Sequence, residues 1–579
     1  KDGNKRKISA HTEHLECFQN WKELELRLKT GKIIDEENLR VIKKKEKYWQ
    51  QICILVRVLG GQNLTFHGHG RNQKLNTPGN GNFLKFVEYV ALFDPVMKEH
   101  LRKITDHETQ VHSLGKNMQN ELIQILANAI KKKIVEAAHS AKYFSIILDC
   151  TPDVSHVEQM TMMIHLVDME KSADEDNVEV LIKEHFWGFV PLKETTGAFM
   201  TETILQELEI MSLSGENLRG QGYDNGSNMK GKDNGLQRRM MEINPRAFFV
   251  SCSAHSLNLV VNDAARCCLE ASSFFDLVQR LYVFFSGSTC CWEILTHREN
   301  SLTVKPLSQT RCESRIDALK TLFYELGNIY DAVIEISDDT TFTGSSGNAA
   351  RSDAEALANG LSKFKFVTSL ILWYNILFEI NLTSKQLQEK NLNIHSAIQK
   401  LQQTKNILEE FRSDEGFERT LHLESVFGFI YDSHRLQKKT ARQIREFCIK
   451  LESALTHENS KDIDATDLYS ELRAFSRRLK KHSTPEEVLK FVCENKLTDS
   501  FPNIFIALCI LLALPVSVAS GECSFSKLKL IKTYLRSTMV QERLVGFATM
   551  SIEHEIAGKL DLKELVTEFS KLKASKVMF

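Results

Sequence analysis

Two stretches of the sequence end in the same way. In YFSIILDCTPDVS, residues 143 to 155, an apolar run with the character of a buried strand arrives at Asp149, and in GQGYDNGSNMKGK, residues 220 to 232, a briefer run arrives at Asp224. A single aspartate at a strand end ordinarily begins a turn. Two that face one another repel, and a divalent cation is the most economical way to hold them. Hard oxygen ligands suit magnesium or manganese and leave coordination positions open for phosphate oxygens. A third carboxylate is offered by SVASGECSFSKLKLIKTYLRS, where Ser520 can cap a helix whose inward stripe is Phe525, Leu528 and Ile531 or Lys532. Glu522 stands three residues before Phe525 and so points along the buried face, where an unpaired carboxylate is costly. The alternative is that it complements the positive helix N-terminus; spacing leaves both open.

The elements around the aspartates must bring them together. After Asp149 come QMTMMIHLVD and VLIKEHFWGFVPL, two runs rich in aliphatic and aromatic residues separated by the acidic turn KSADEDN, which predicts a hairpin. Met200, Ile204, Leu208 and Met211 then give a helical stripe before the strand that ends at Asp224. The order strand, strand, strand, helix, strand places the first and fourth strands side by side at the centre of a sheet, with Asp149 facing Asp224. Upstream, Leu122, Leu126, Ile130 and Ile134 predict an amphipathic helix over 117–140, with Lys131 to Lys133 on its wet side. Residues 20 to 60 read as charged helix, followed by a Gly- and Asn-rich break in which His67 and His69 decorate a loop. From about 270 to 500 the pattern is helical, interrupted by the polar stretch SDDTTFTGSSGNAARSD. The fold class is α/β.

A chain of 579 residues with 42% hydrophobic and 26% charged residues has the proportions of folded protein and fills two or three domains. The formal net charge of -1 excludes a generally basic nucleic-acid coat, so contact with DNA must use local clusters such as Lys527, Lys529, Lys532 and Arg536. Thirteen scattered cysteines predict reduced thiols of cytosol or nucleus. The most apolar run, Ile504 to Leu514, is 11 residues long, short of the ~20 that a membrane span needs; neither a membrane nor a small-molecule substrate is expected. The start, KDGNKRKIS, is no signal peptide, and its lack of Met suggests a fragment. His11, His14 and Cys17 fall three apart and read as a helical surface rather than half a zinc site. Leu544, Phe547, Ala548 and Ile552 share one helical face, which serves equally as a partner surface or as part of the chain's own core. Cys252 and His255 could share one helical turn, but no second pair lies nearby in sequence, so they read as structural.

Several of these blocks resemble the hAT transposases, above all transposon-derived relatives with a TTF-type zinc finger, a domain of unknown function numbered 4371 and a C-terminal hAT dimerisation region, as in the zinc finger MYM-type proteins. SIILDCTPDVSHVEQMT resembles the first catalytic-aspartate block, GQGYDNGSNMKGK the second and CSAHSLNLVVND the Cys-x-x-His block after it. GECSFSKLKLIKTYLRSTMVQERL is similar to the block that supplies the catalytic glutamate and opens the dimerisation region, and HTEHLECFQNW resembles the tail of the finger. The resemblance implies an RNase H-like core, a mixed sheet with flanking helices, interrupted by a large all-α insertion. Asp149, Asp224 and Glu522 would form a metal-binding triad for Mg2+ or Mn2+. The implied division is a finger remnant at 1–25, a helical region at 26–115, the first part of the core at 116–270, the insertion at 271–499, and the rest of the core with the dimerisation region at 500–579. Zinc would belong to the finger, whose earlier ligands are absent here.

The implied chemistry is two-metal phosphodiester transesterification on DNA, with Asp149 bridging both ions and Asp224 and Glu522 each completing one coordination sphere. Two departures weigh against strand transfer. The family's Arg-Trp appears here as Arg311 followed by Cys312, which cannot stack on an unpaired base, and Cys523 follows Glu522 where the family has Arg. The expectation is therefore a dimerising, nuclear, DNA-binding protein with reduced or no transposition. The alternative is an active transposase.

Overall fold

The computed structural model describes residues 36–68, 74–108, 114–171, 178–224, 226–231, 234–297, 303–307, 312–389, 393–411, 440–458, 460–475, 484–533 and 536–574. The chain forms two compact units, one of residues 1–133 with 527–579 and the other of residues 134–526. Residues 116–133 group with the N-terminal helices rather than with the sheet, and 500–526 group with the sheet.

The larger unit is built on a five-stranded sheet: β1 (Phe144–Pro152), β2 (Glu158–Lys171), β3 (Val178–Leu192), β4 (Leu218–Tyr223) and β5 (Phe248–Ser251), in the order β3-β2-β1-β4-β5. β1 pairs antiparallel with β2 and β2 with β3, while β1, β4 and β5 run parallel. Strands one and four are neighbours, as the element order requires. The hairpin is also present, its strands extending the apolar runs by a few residues where Glu170 and Lys171 pair with Glu179 and Val178. β5, only four residues long, is an addition to the expected set.

The pleat sends successive residues to opposite faces. Phe144, Ile146 and Leu148 of β1 join Met160, Met162, Ile164 and Leu166 of β2 in a core completed by Met200, Ile204 and Leu208 of the helix Gly197–Ile210. Ser145, Ile147 and Asp149 therefore project from the other face. A second core gathers the helices between Leu269 and Leu512, including the apolar helix Pro502–Leu512. That helical stretch also holds a two-stranded ribbon, β6 (Thr456–His457) with β7 (Ser460–Lys461), so it is not purely α-helical. One of its helices, Phe364–Leu387, is long and apolar enough by length and composition to cross a membrane, a feature that the reading of Ile504 to Leu514 alone overlooked. Phe366, Leu370, Tyr374 and Leu377 on one side of it are buried in the helical core.

In the smaller unit the C-terminal helices fold back on the first one. The ring of Phe547, on the helix Gln541–Ile552, stands edge-on to Phe66 with centroids 5.1 Å apart, and Trp49 meets Phe569 at 4.8 Å. Gly60 accommodates Met550, whose Cε occupies the space that a Cβ at that position would take. The stripe of Leu544, Phe547 and Ala548 is thus core of its own unit, with Ile552 half-buried at its edge. It is not a free partner surface.

Candidate functional site

Asp149 and Asp224 stand just past the last residues paired between the two central strands, β1 itself running on to Pro152 against β2. β1 and β4 are in register through Ile147 and Gly222. Two residues further along each strand, on the same side of the pleat, stand the two aspartates. Each carboxylate takes a nearby amide: Asp149 Oδ1 accepts from the Cys150 amide at 2.9 Å within β1, and Asp224 Oδ1 accepts from the Gly226 amide at 3.0 Å where the chain leaves β4. At Asp224 a turn-type hydrogen bond coexists with the facing arrangement, whereas Asp149 lies within its strand.

Glu522 reaches this end of the sheet on the helix Ala519–Ile531, although 372 residues separate it from Asp149 in sequence. The contact is made by its small neighbours. A Cβ on Gly521 would lie 3.2 Å from Thr161 Cγ2 and 3.3 Å from Asp149 Cβ. One turn later, Ser524 Oγ is 2.7 Å from Thr161 Oγ1, and Thr161 is the cross-strand partner of Asp149. Phe525 then stacks on Phe189 of β3, with centroids 5.9 Å apart. The face of this first turn that meets the sheet is Gly521, Ser524 and Phe525. Glu522 itself is exposed, which corrects the expectation of a buried orientation. We expect Gly521→Val to push the helix off Asp149 and to cost about 1–3 kcal/mol, as overpacking does in a closed contact; chemical denaturation of the purified variant measures it.

The three carboxylates share one electrostatic environment. Burial, then the charge of Glu522, then that of Asp224 push the Asp149 carboxyl up to about 7. Burial and the charges of Asp149, Glu158 and Asp224 hold the adjacent Cys150 as a neutral thiol, far above its ordinary range. Concentrated negative charge and all-oxygen donors fit a hard divalent cation in chemistry. The spacing is open, however: among the described residues no three His, Cys, Asp or Glu side chains are close enough to hold one metal ion as they stand.

The remaining expected site residues fall elsewhere. Cys252 is the N-cap of the helix Ser253–Ala264, its Sγ accepting from the His255 amide at 3.4 Å, so the pair shapes a helix start. The Cys252 amide in turn donates to Tyr223 O at 3.2 Å, beside Asp224. Of the basic cluster, Lys529 is exposed and Lys527 half-buried, but Lys532 is buried and Arg536 gives its guanidinium to the carbonyls of Asn63 and Ile531. Burial lowers the Arg536 pKa. Those two cations serve the fold of the smaller unit and are not a phosphate-binding surface. Arg311, His11, His14, Cys17 and His69 lie outside the described residues, and of Cys312 only its place at the start of the helix Cys312–Asp338 is described.

A mixed sheet whose central parallel pair ends in two aspartates, with a third carboxylate delivered from far along the chain, defines an RNase-like domain. Residues 3–235 match the family described as ZMYM1/FAM200, RNase-like domain, and residues 466–556 match the hAT family C-terminal dimerisation region. The chain belongs to the hAT transposase-derived proteins. It is similar to the "52 kDa repressor of the inhibitor of the protein kinase" of Homo sapiens, with 22% identity over 92% of this chain and 77% of the relative. The Mus musculus protein of the same name is also 22% identical and is covered over 78% of its length.

Proposed function

We propose that this transposon-derived chain is a dimerising, nuclear DNA-binding protein that retains an RNase H-like core, interrupted by a mostly helical insertion, as a scaffold with little or no transposition activity. The observation that carries this reading is Glu522, exposed and followed by the equally exposed Cys523, at a position where strand transfer calls for a closed ligand set and a cation directed at phosphate. Resemblance to relatives named as repressors supports regulation rather than mobility, and nuclear residence follows from that role. Self-association is supported by the match over 466–556. Since Leu544, Phe547 and Ala548 are internal, the surface that joins two copies lies outside that stripe. Asp149, Asp224 and Glu522 would hold Mg2+ or Mn2+, which when bound would supply Lewis-acid stabilisation at a phosphodiester.

The test is made on the full chain. Gel-shift assays should give DNA binding that weakens steeply with salt, sedimentation at micromolar concentration should give a dimer, and supercoiled DNA with Mn2+ should show weak nicking at most. Efficient excision of a flanked DNA segment would establish the active transposase instead. A salt-insensitive or absent gel shift would remove DNA from the list of partners.

A further inference from the structure

The segment joining the helix Pro502–Leu512 to the helix Ala519–Ile531 contributes no carboxylate, yet it crosses the sheet face from which Asp149 and Asp224 project. It is held at every step. The Leu512 carbonyl lies 3.3 Å from His165 Nε2 on β2, and the Ala513 carbonyl accepts from Ser145 Oγ on β1. Pro515 packs on β4, where a Cβ on Gly220 or Gly222 would come within 2.9 Å of its ring. The Val516 carbonyl accepts from the Ser253 amide at 3.4 Å. Gly521 and Ser524 then meet Asp149 and Thr161.

His165, Ser145 and Gly220 form a single cross-strand row, and the next residue in that row is Glu184 on β3. The final carbonyls of a helix have no partner within it, and burying them unpaired is costly. This row supplies the donors. His165 is 2% exposed, and its ring is bracketed by two acceptors, the Leu512 carbonyl and Glu184 Oε1, the latter 3.2 Å from Nδ1. A polar ring among Met163, Ile164, Leu166 and Val167 is otherwise an expense to the core.

We propose that His165 is the positioning residue for Glu522: by anchoring the end of the 502–512 helix on the sheet, it sets where the next helix begins and so where Glu522 stands over Asp149. Its consequence for cation binding rests on reading the three carboxylates as one site; the anchoring itself does not. Hydrogen exchange on the full chain separates the two. His165→Ala should speed amide exchange in peptides spanning 510–526 at least tenfold and leave β1 to β3 unchanged. His165→Gln, which keeps a side-chain N–H for the Leu512 carbonyl, should restore most of the protection. Mn2+ should bind at least fivefold more weakly to His165→Ala, with no further loss on adding Glu522→Gln. Unchanged exchange at 510–526, or equal loosening of the whole sheet, overturns the proposal. Local loosening with Mn2+ binding intact supports the anchor and overturns the reading of the carboxylates. Should His165→Ala not fold, Ser145→Ala at the adjoining contact makes the same comparison.

Discussion

Asp462→Ala is expected to destabilise the larger unit by about 3–5 kcal/mol, the range for removing one partner of a buried ion pair. β1 and β4 slip in register between Phe144 and Ser145, which leaves Arg219 without a cross-strand partner. Its side chain turns to Asp462, just beyond the β6–β7 ribbon, giving Nε to one carboxylate oxygen at 2.9 Å and Nη2 to the other at 2.6 Å. Arg246 adds Nη1 at 3.3 Å, and the Tyr143 ring lies 4.8 Å beneath the Arg219 guanidinium. Both arginines are almost fully buried. Burial lowers the Arg219 pKa, the Asp462 carboxylate opposes that shift, and the neighbouring charge of Arg246 adds to it. Without the carboxylate, two guanidiniums remain in the interior with carbonyl oxygens as their main acceptors. Urea denaturation followed by near-ultraviolet circular dichroism reads the loss, and a cost below about 1 kcal/mol would show that the interior admits water there. The cluster holds the N-terminal end of β4, the strand that carries Asp224 at its other end, so the variant should also loosen the candidate site.

Much of this arrangement is legible in the sequence, and the misjudged parts share a cause. Strand order follows from the sequence of elements, because three consecutive strands, a helix and a fourth strand leave few ways to pair. The approach of Glu522 is harder to see. A helical stripe drawn through Phe525, Leu528 and Ile531 places Glu522 inward, whereas Gly521 and Ser524, small residues invisible to a hydrophobic pattern, make the contact and rotate the first turn so that Glu522 is exposed. In the same way Lys532 and Arg536 read as a phosphate-binding cluster because charge suggests solvent, yet long basic side chains can be buried along their stems. The stripe at Leu544, Phe547 and Ala548 is read correctly as apolar, but periodicity alone cannot distinguish the chain's own core from a partner. His165 gives no local signal, since its role depends on a helix end 347 positions away.

Asp149→Asn is expected to stabilise the cation-free protein at pH 8 and to leave it nearly unchanged at pH 4. The folded state holds the Asp149 proton up to about 7, from an ordinary value of 3.8, chiefly through burial and then through the charges of Glu522 and Asp224. Between those two values the folded chain binds a proton that the unfolded chain has released, so stability falls as pH rises through the window. Above pH 7 the full penalty applies, up to about 4 kcal/mol from a shift of that size. Asparagine fills the same space without the charge and escapes it. Glu522→Gln should give a smaller gain in the same direction by removing one of the two repelling charges. A divalent cation reverses the order: it favours the ionised aspartate, so Mn2+ should raise the melting temperature of the wild-type chain and not that of Asp149→Asn. Its affinity should fall about tenfold for each pH unit below 7, because each ion bound must then displace a proton. Thermal melts at pH 4, 6 and 8, in EDTA and in Mn2+, make the comparison. Loss of stability in Asp149→Asn at pH 8 in EDTA would mean that the ionised carboxylate is already compensated within the fold, and the case for a cation between the two central strands would go with it.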